Sequence, residues 1–180
     1  MKKTLLFILL CITCQAFSQH KEKFKSGVKV TTVEKVAEYQ KPASLLFVFK
    51  GDTHLGAFFL DLENHIKRRF KKELKKGYQL NFMYELTSEN PADYEVEIIP
   101  KRKFDKANYQ SVAYVTISDF KGWDSDLYKK RKQNYNLNII LKGKNSTELL
   151  TLVLNVSNYF TIDRKNRNSS KLIYEHLMEK

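Results

Sequence analysis

The spacing of apolar residues shifts along this chain, and each shift predicts an element. Ser44 to Phe49 is a compact apolar run of strand formers, short enough for a buried strand. Gly51-Asp52-Thr53 ends it and offers a capping oxygen to a helix. From Thr53 to Lys76, residues Leu55, Phe58, Phe59, Leu62, Ile66, Phe70 and Leu74 recur at spacings of three and four. This is the stripe of one amphipathic helix about 36 Å long, stopped by Gly77. Arg68, Lys71, Lys72 and Lys75 fall opposite the stripe, and Arg69 and Glu73 form an i, i+4 pair at its edge.

After Gly77 the pattern alternates. Tyr78, Leu80, Phe82, Tyr84 and Leu86 face one side, with Met83 the exception. Asn90-Pro91 turns the chain into a second alternating strand around Tyr94, Val96 and Ile98, which predicts an antiparallel pair. Ser111 to Ser118 reads as another strand. Leu137 to Leu141 and Glu148 to Val156 read as a hairpin closed by Gly143-Lys144-Asn145-Ser146. Ser169 or Ser170 caps a final helix through Met178, with Leu172, Ile173 and Leu177 turned inward. Upstream of the boundary at Pro42, Gln19 to Pro42 is a polar lead-in in which Thr31 to Tyr39 forms a short helix or an edge strand. The expected fold is a two-layer α+β domain over residues 43–180. Its sheet has five or six mostly antiparallel strands, with the long helix and the terminal helix on one face.

The amino terminus adds a location. Lys2 and Lys3 precede an apolar run from Leu5 to Cys14, broken only by Thr13, and Ala16-Phe17-Ser18 supplies a small-x-small cleavage signal. Residues 1–18 therefore read as a secretory signal peptide, too short for a bilayer that needs about 20 apolar residues. The predicted product is exported, periplasmic or secreted, with no transmembrane segment after cleavage. Both cysteines lie in the signal, so thiol chemistry leaves with it. Lipidation at Cys14 is the competing reading, although Cys11-Ile12-Thr13 departs from the usual Leu-small-small run before the modified cysteine.

Charge bears on partners. Removing Lys2 and Lys3 from 32 bases leaves 30 against 20 acids, about +10 for the mature chain. Exported basic proteins meet anionic surfaces. Lysine outnumbers arginine 26 to 6, however, whereas two-pronged phosphate or carboxylate sites favour arginine. Much of the charge is therefore read as a wetted surface. The densest stretch is His65 to Lys76, where Lys67, Arg68, Lys71, Lys72 and Lys75 are the candidate contacts for an anionic partner. Burying the stripe contributes roughly 1.5–3 kcal/mol per large side chain, against about 0.2–0.5 kcal/mol per surface charge pair. The stripe thus fixes the helix and leaves its basic face free.

Most familiar chemistries are excluded. HExxH, GxSxG and Gly-rich phosphate loops are missing from the sequence. Asp124-Ser125-Asp126 opens like a calcium loop, but Lys129 stands where the turn glycine belongs and Tyr135 where the bidentate Glu belongs. His54 and His65 are about 16 Å apart along one helix, too far for one metal. His20 sits at the mature terminus, His176 is read as partly buried filler, and Asp61 and His65 as a surface hydrogen bond. No metal or cofactor is expected. Glu85, Glu89, Asp93, Glu95 and Glu97 form an acidic patch, read as a solvated sheet face or a contact for a basic partner. Lys101-Arg102-Lys103 and the cluster from Lys129 to Lys132, near Trp123 and Tyr128, interleave bases with aromatics. Aromatics are dense throughout, so nucleic acid is not the expected partner.

The strand-helix-strand start from Ser44, the Ala92-Asp93-Tyr94-Glu95-Val96-Glu97-Ile98 phrase, the late hairpin and the closing helix resemble small α+β domains of bacterial envelope accessory proteins. The amino-terminal domain of TolB and the penicillin-binding-protein activators are the types in question. The resemblance runs loosely from Ser44 to Met178, carries over no functional residue, and implies an envelope accessory role. The expected function is an exported, non-catalytic binding or accessory protein of the bacterial cell envelope, partnered by another envelope protein or an anionic surface polymer. One alternative binds anionic envelope polymer or lipid through the basic helix face, and another is a hydrolase whose carboxylates carry no recognisable motif.

Overall fold

A computed structural model describes residues 27–87, 99–121, 130, 132–158 and 160–178. The expected signal segment with Cys11 and Cys14, His20, the expected strand from Tyr94 to Ile98 with most of the acidic residues, and the segment holding Trp123, Tyr128 and the calcium-like triplet lie outside these residues. Strands β1 Val28–Lys35, β2 Ser44–Asp52, β3 Gln79–Thr87, β4 Ser111–Lys121, β5 Gln133–Gly143 and β6 Glu148–Asn158 form a six-stranded sheet. Its helices are α1 Gly56–Arg69, the short α2 Lys71–Leu74 and α3 Ile162–Met178. The class is α+β. No described helix is long and apolar enough to cross a membrane.

The sheet is mixed. Its order is β1-β6-β5-β4-β2-β3. Strands β1, β6, β5 and β4 pair antiparallel, whereas β2 is parallel to both β4 and β3. The expected mostly antiparallel meander therefore holds only for one half. Helix α1 carries the chain from β2 back to the start of a parallel β3, the usual crossover for such a pair. Central β2 is buried from Leu45 to Phe49 on both faces, as a strand with parallel neighbours should be. The lead-in supplies β1 as an edge strand paired with β6, so the sheet begins upstream of Pro42. The late hairpin forms as expected and is longer, closing with Gly143 N–H donating to Thr147 O at 2.9 Å.

One face of the sheet carries the main core. Phe47, Phe49 and Phe82 stack there beneath Phe58, Phe59, Leu62 and Ile66 of α1, and Leu172, Ile173 and Leu177 of α3 complete it. The opposite face holds a small cluster of Leu46, Val48, Met83, Tyr109 and Val112, packed against Phe104 and Tyr114. That cluster explains Met83, whose side chain points away from its apolar neighbours on β3.

The long helix is not one rod. A 3-10 turn at Thr53–Leu55 opens it, with Asp52 Oδ1 accepting from His54 N–H at 2.8 Å. At Phe70 the backbone leaves the helical region, with φ −81° and ψ 5°. The fully buried Phe70 ring is held edge-on by Phe47 and Tyr174 and tilted against Tyr78. The turn beyond it no longer follows the stripe, and Leu74 is 38% exposed instead of buried. Gly77, at φ +83°, ends the segment, with Gly77 N–H donating to Leu74 O and Tyr78 N–H to Glu73 O. These two bonds make a Schellman stop. The expected Arg69–Glu73 pair is also replaced: Arg69 donates to Arg167 O at 3.1 Å, and Glu73 accepts from Tyr174 OH at 2.6 Å.

Candidate functional site

Helix α1 turns polar side chains in three directions, and each direction meets different surroundings. Glu63 and Asp61, two positions apart, project about 200° from one another around the axis.

Glu63 faces β3 and the segment after Ile99. Its side chain is 1% exposed and accepts from Lys67, one turn on, from Tyr84 OH and from Arg102 Nη1, the last at 2.8 Å. Burial alone would push this carboxyl up; the three donors outweigh it and hold it below the ordinary carboxylate range. One of the five expected basic contacts is consumed here. Lys67 lies in this ion pair and over the Phe82 ring, and Arg102 of the Lys101 to Lys103 cluster is the other cation. The acidic patch is likewise answered from within the chain at Glu85, which pairs with Lys50 at 3.1 Å and Lys106 at 2.7 Å.

Asp61 and His65 face α3, and the surface hydrogen bond expected for them is a buried junction instead. His65 is 4% exposed. Its Nε2 lies 3.7 Å from Asp61 Oδ1 and 3.0 Å from Oδ1 of Asp163, in the first turn of α3. All three candidate ligand atoms lie within 4.8 Å of one another. Asn166, fully buried one turn further along α3, donates its amide to Asp61 Oδ2 at 2.9 Å and to Phe58 O at 3.1 Å. Burial pushes the Asp61 carboxyl up, and the nearby Asp163 charge adds to that; the Asn166 hydrogen bond and the His65 and Arg68 charges oppose it. Beside this junction, buried Lys165 donates to Gln133 Oε1 at 2.8 Å, and burial pushes its ammonium down to about 8. These inward polar residues are why α3 starts at Ile162 and not at Ser169 or Ser170: Lys165, Asn166, Ser169 and Ser170 all lie on its buried side. Spacing alone could flag Asp61 with His65, but nothing in the sequence ties either to Asp163, 98 residues on.

The third direction is open. Lys67, Arg68, Lys71, Leu74 and Lys75 line a shallow groove of about 430 Å3 along the end of α1 and α2. Arg68, Lys71 and Lys75 are exposed, and Leu74 shows an apolar floor between them. Lys72 is exposed on the same segment but does not line the groove. Among the described residues, none of Lys71, Lys72 and Lys75 is held in an ion pair. Of the five basic candidates, four are exposed, and three of those, Arg68, Lys71 and Lys75, converge on the groove, with Arg68 also acting on Asp61.

No family model matches the chain, and no curated protein matches it. Among solved structures, it is similar in chain path to the PelC dodecamer from Paraburkholderia phytofirmans, with 9% identity, a TM-score of 0.48, and coverage of 83% of this chain and 98% of that one. A neuraminyllactose-binding hemagglutinin homolog from Helicobacter pylori has 12% identity and a TM-score of 0.30, over 81% of this chain and 88% of that one. Neither is a TolB-like or activator-like domain, and likenesses at this level say nothing of a role.

Proposed function

We propose that the chain is an exported, non-catalytic binding protein of the bacterial cell envelope that engages an anionic surface polymer through the groove of Arg68, Lys71, Leu74 and Lys75. The observation that carries this reading is the juxtaposition of exposed, unneutralised cations around an exposed leucine. At Glu63 the chain answers its own charge with Lys67 and Arg102, whereas Lys71 and Lys75 at the groove have no ion-pair partner among the described residues. Lysine ammoniums are point charges on flexible apolar stems. They suit the spread charge of a polyanion, while their stems and Leu74 offer a surface for sugar-ring faces. Such binding is salt-dependent, because exposed charges are screened over about 10 Å at 0.1 M.

Charge reversal at two rim positions, Lys71→Glu with Lys75→Glu, tests the reading. The variant should elute from a heparin-like or lipopolysaccharide matrix at clearly lower salt than the parent chain. Unchanged retention would sink the proposal.

A further inference from the structure

We infer that Asp61, His65 and Asp163 form a binding site for a divalent transition cation of the Zn2+ class, which clips α3 to α1. The donor set comes from two helices. Asp61 and His65 share one face of α1 at i, i+4, and Asp163 approaches from the first turn of α3. Around a four-coordinate ion with bonds of about 2.0–2.2 Å, ligand atoms stand roughly 3.3–3.6 Å apart. The present separations of 3.0 and 3.7 Å about His65 Nε2 bracket that spacing, and no ligand atom is more than 4.8 Å from the others. Small side-chain rotations seat all three.

An independent observation points the same way. Asn166 is fully buried, and its amide takes Asp61 Oδ2, which leaves Asp61 Oδ1 turned to His65 and Asp163. An outer-shell hydrogen bond of this kind is how metal-ligating carboxylates are oriented. The carbonyl Oδ1 of Asn166, also buried, has no hydrogen-bond partner among the described residues. Charge agrees as well. Two carboxylates, with the imidazole in the neutral form that ligates a metal, would sum to −2, which a divalent ion balances. Arg68 acts on Asp61 from two turns along the helix, but among the described residues no lysine or arginine forms an ion pair with Asp61 or Asp163. Glu63, by contrast, has two such cations. The imidazole nitrogen favours Zn2+ over Mg2+ or Ca2+, which take all-oxygen shells. The Asp163 side chain is 39% exposed against 5% for His65, so the ion enters from the Asp163 side and keeps a coordination position open to water.

The test uses the full mature chain stripped of metal by a chelator. Titration with Zn2+ followed calorimetrically, and with Co2+ followed by visible absorption, should show one saturable equivalent and the strong bands of a four-coordinate site. Melting temperature should rise by about 5–10 °C at Zn2+ a hundredfold above Kd. Asp163→Asn, at a half-exposed position, should lose at least tenfold in affinity as judged against its own metal-free melting temperature, and Asp163→Glu should recover part of it. His54→Gln should change nothing. The inference is overturned if the parent chain shows no saturable binding at roughly millimolar Zn2+. It is equally overturned if Asp163→Asn binds as well as the parent, if binding disappears with His54→Gln, or if Ca2+ or Mg2+ competes equally.

Discussion

The junction between α1 and α3 and the groove at the end of α1 are built on the same helix with opposite imbalances. The junction gathers acceptors, two carboxylates and an imidazole, and among the described residues no lysine or arginine is ion-paired with them. The groove gathers cations without acids. Glu63, on a third side of the helix, is the paired reference: one buried carboxylate met by Lys67, Arg102 and a tyrosine hydroxyl. The difference teaches where to look for partners. Charge that the chain has already neutralised holds the fold together, and charge left over on either side of it is available to something else.

Disturbing the reference should have the largest effect on stability. Glu63→Gln removes the acid while Lys67 and Arg102 remain, and should lower the unfolding free energy by about 2–4 kcal/mol in a urea titration. A loss well under 1 kcal/mol would mean that Glu63 is not the anchor described. Next, Asn166→Ala strips two donors from the junction, leaving Phe58 O and Asp61 Oδ2 without them. The expected cost is about 1–3 kcal/mol by the same measurement.

Glu73 sharpens the comparison by pH. The Tyr174 hydrogen bond holds the Glu73 carboxyl below its ordinary range, against the effect of burial. A depressed folded-state pKa gives stability that is fully present above the unfolded value and is lost as pH falls through the folded one. Tyr174→Phe should therefore cost about 1 kcal/mol at neutral pH, and the gap between variant and parent should narrow on acidification below the usual glutamate pKa. A gap that stays constant across that range would contradict the assignment. Smallest of all, the Lys71→Glu, Lys75→Glu variant should stay within about 0.5 kcal/mol of the parent, since neither side chain holds the fold. A larger loss would move these lysines from surface to structure.

How far the sequence alone reaches is visible residue by residue. The stripe from Leu55 to Phe70 and the hairpin around Gly143 are legible because one environment, a single sheet face, sets their period. Leu74 is not, because the break at Phe70 is fixed by rings from β2 and α3 that no local pattern contains. The first half of α3 is hidden for a related reason. Lys165, Asn166 and Ser169 count as polar in any periodicity, yet all three are buried against α1 and β5 partners or the core beside them. Parallel pairing of β2 with β3 and β4 depends on topology and not on the alternation within any one strand. As for the site, four of the five basic candidates are legible as the exposed side of α1 and α2. Lys67 reads wrongly as a free cation although Glu63 stands four residues before it, because what buries Glu63 and fixes it toward Lys67 includes Tyr84 and Arg102, far along the chain. Asp163 is invisible beside Asp61 and His65 on the same ground.

The claim that the leftover cations are the contact surface is tested most directly by mapping a bound ligand on the protein itself. Backbone amide NMR shifts, followed while a sulfated oligosaccharide is titrated into the chain lacking residues 1–18, should move chiefly at Lys71, Leu74 and Lys75, and the changes should fade as salt rises. Shifts centred instead on Lys101 and Lys103, or no shifts at low salt, would contradict the account.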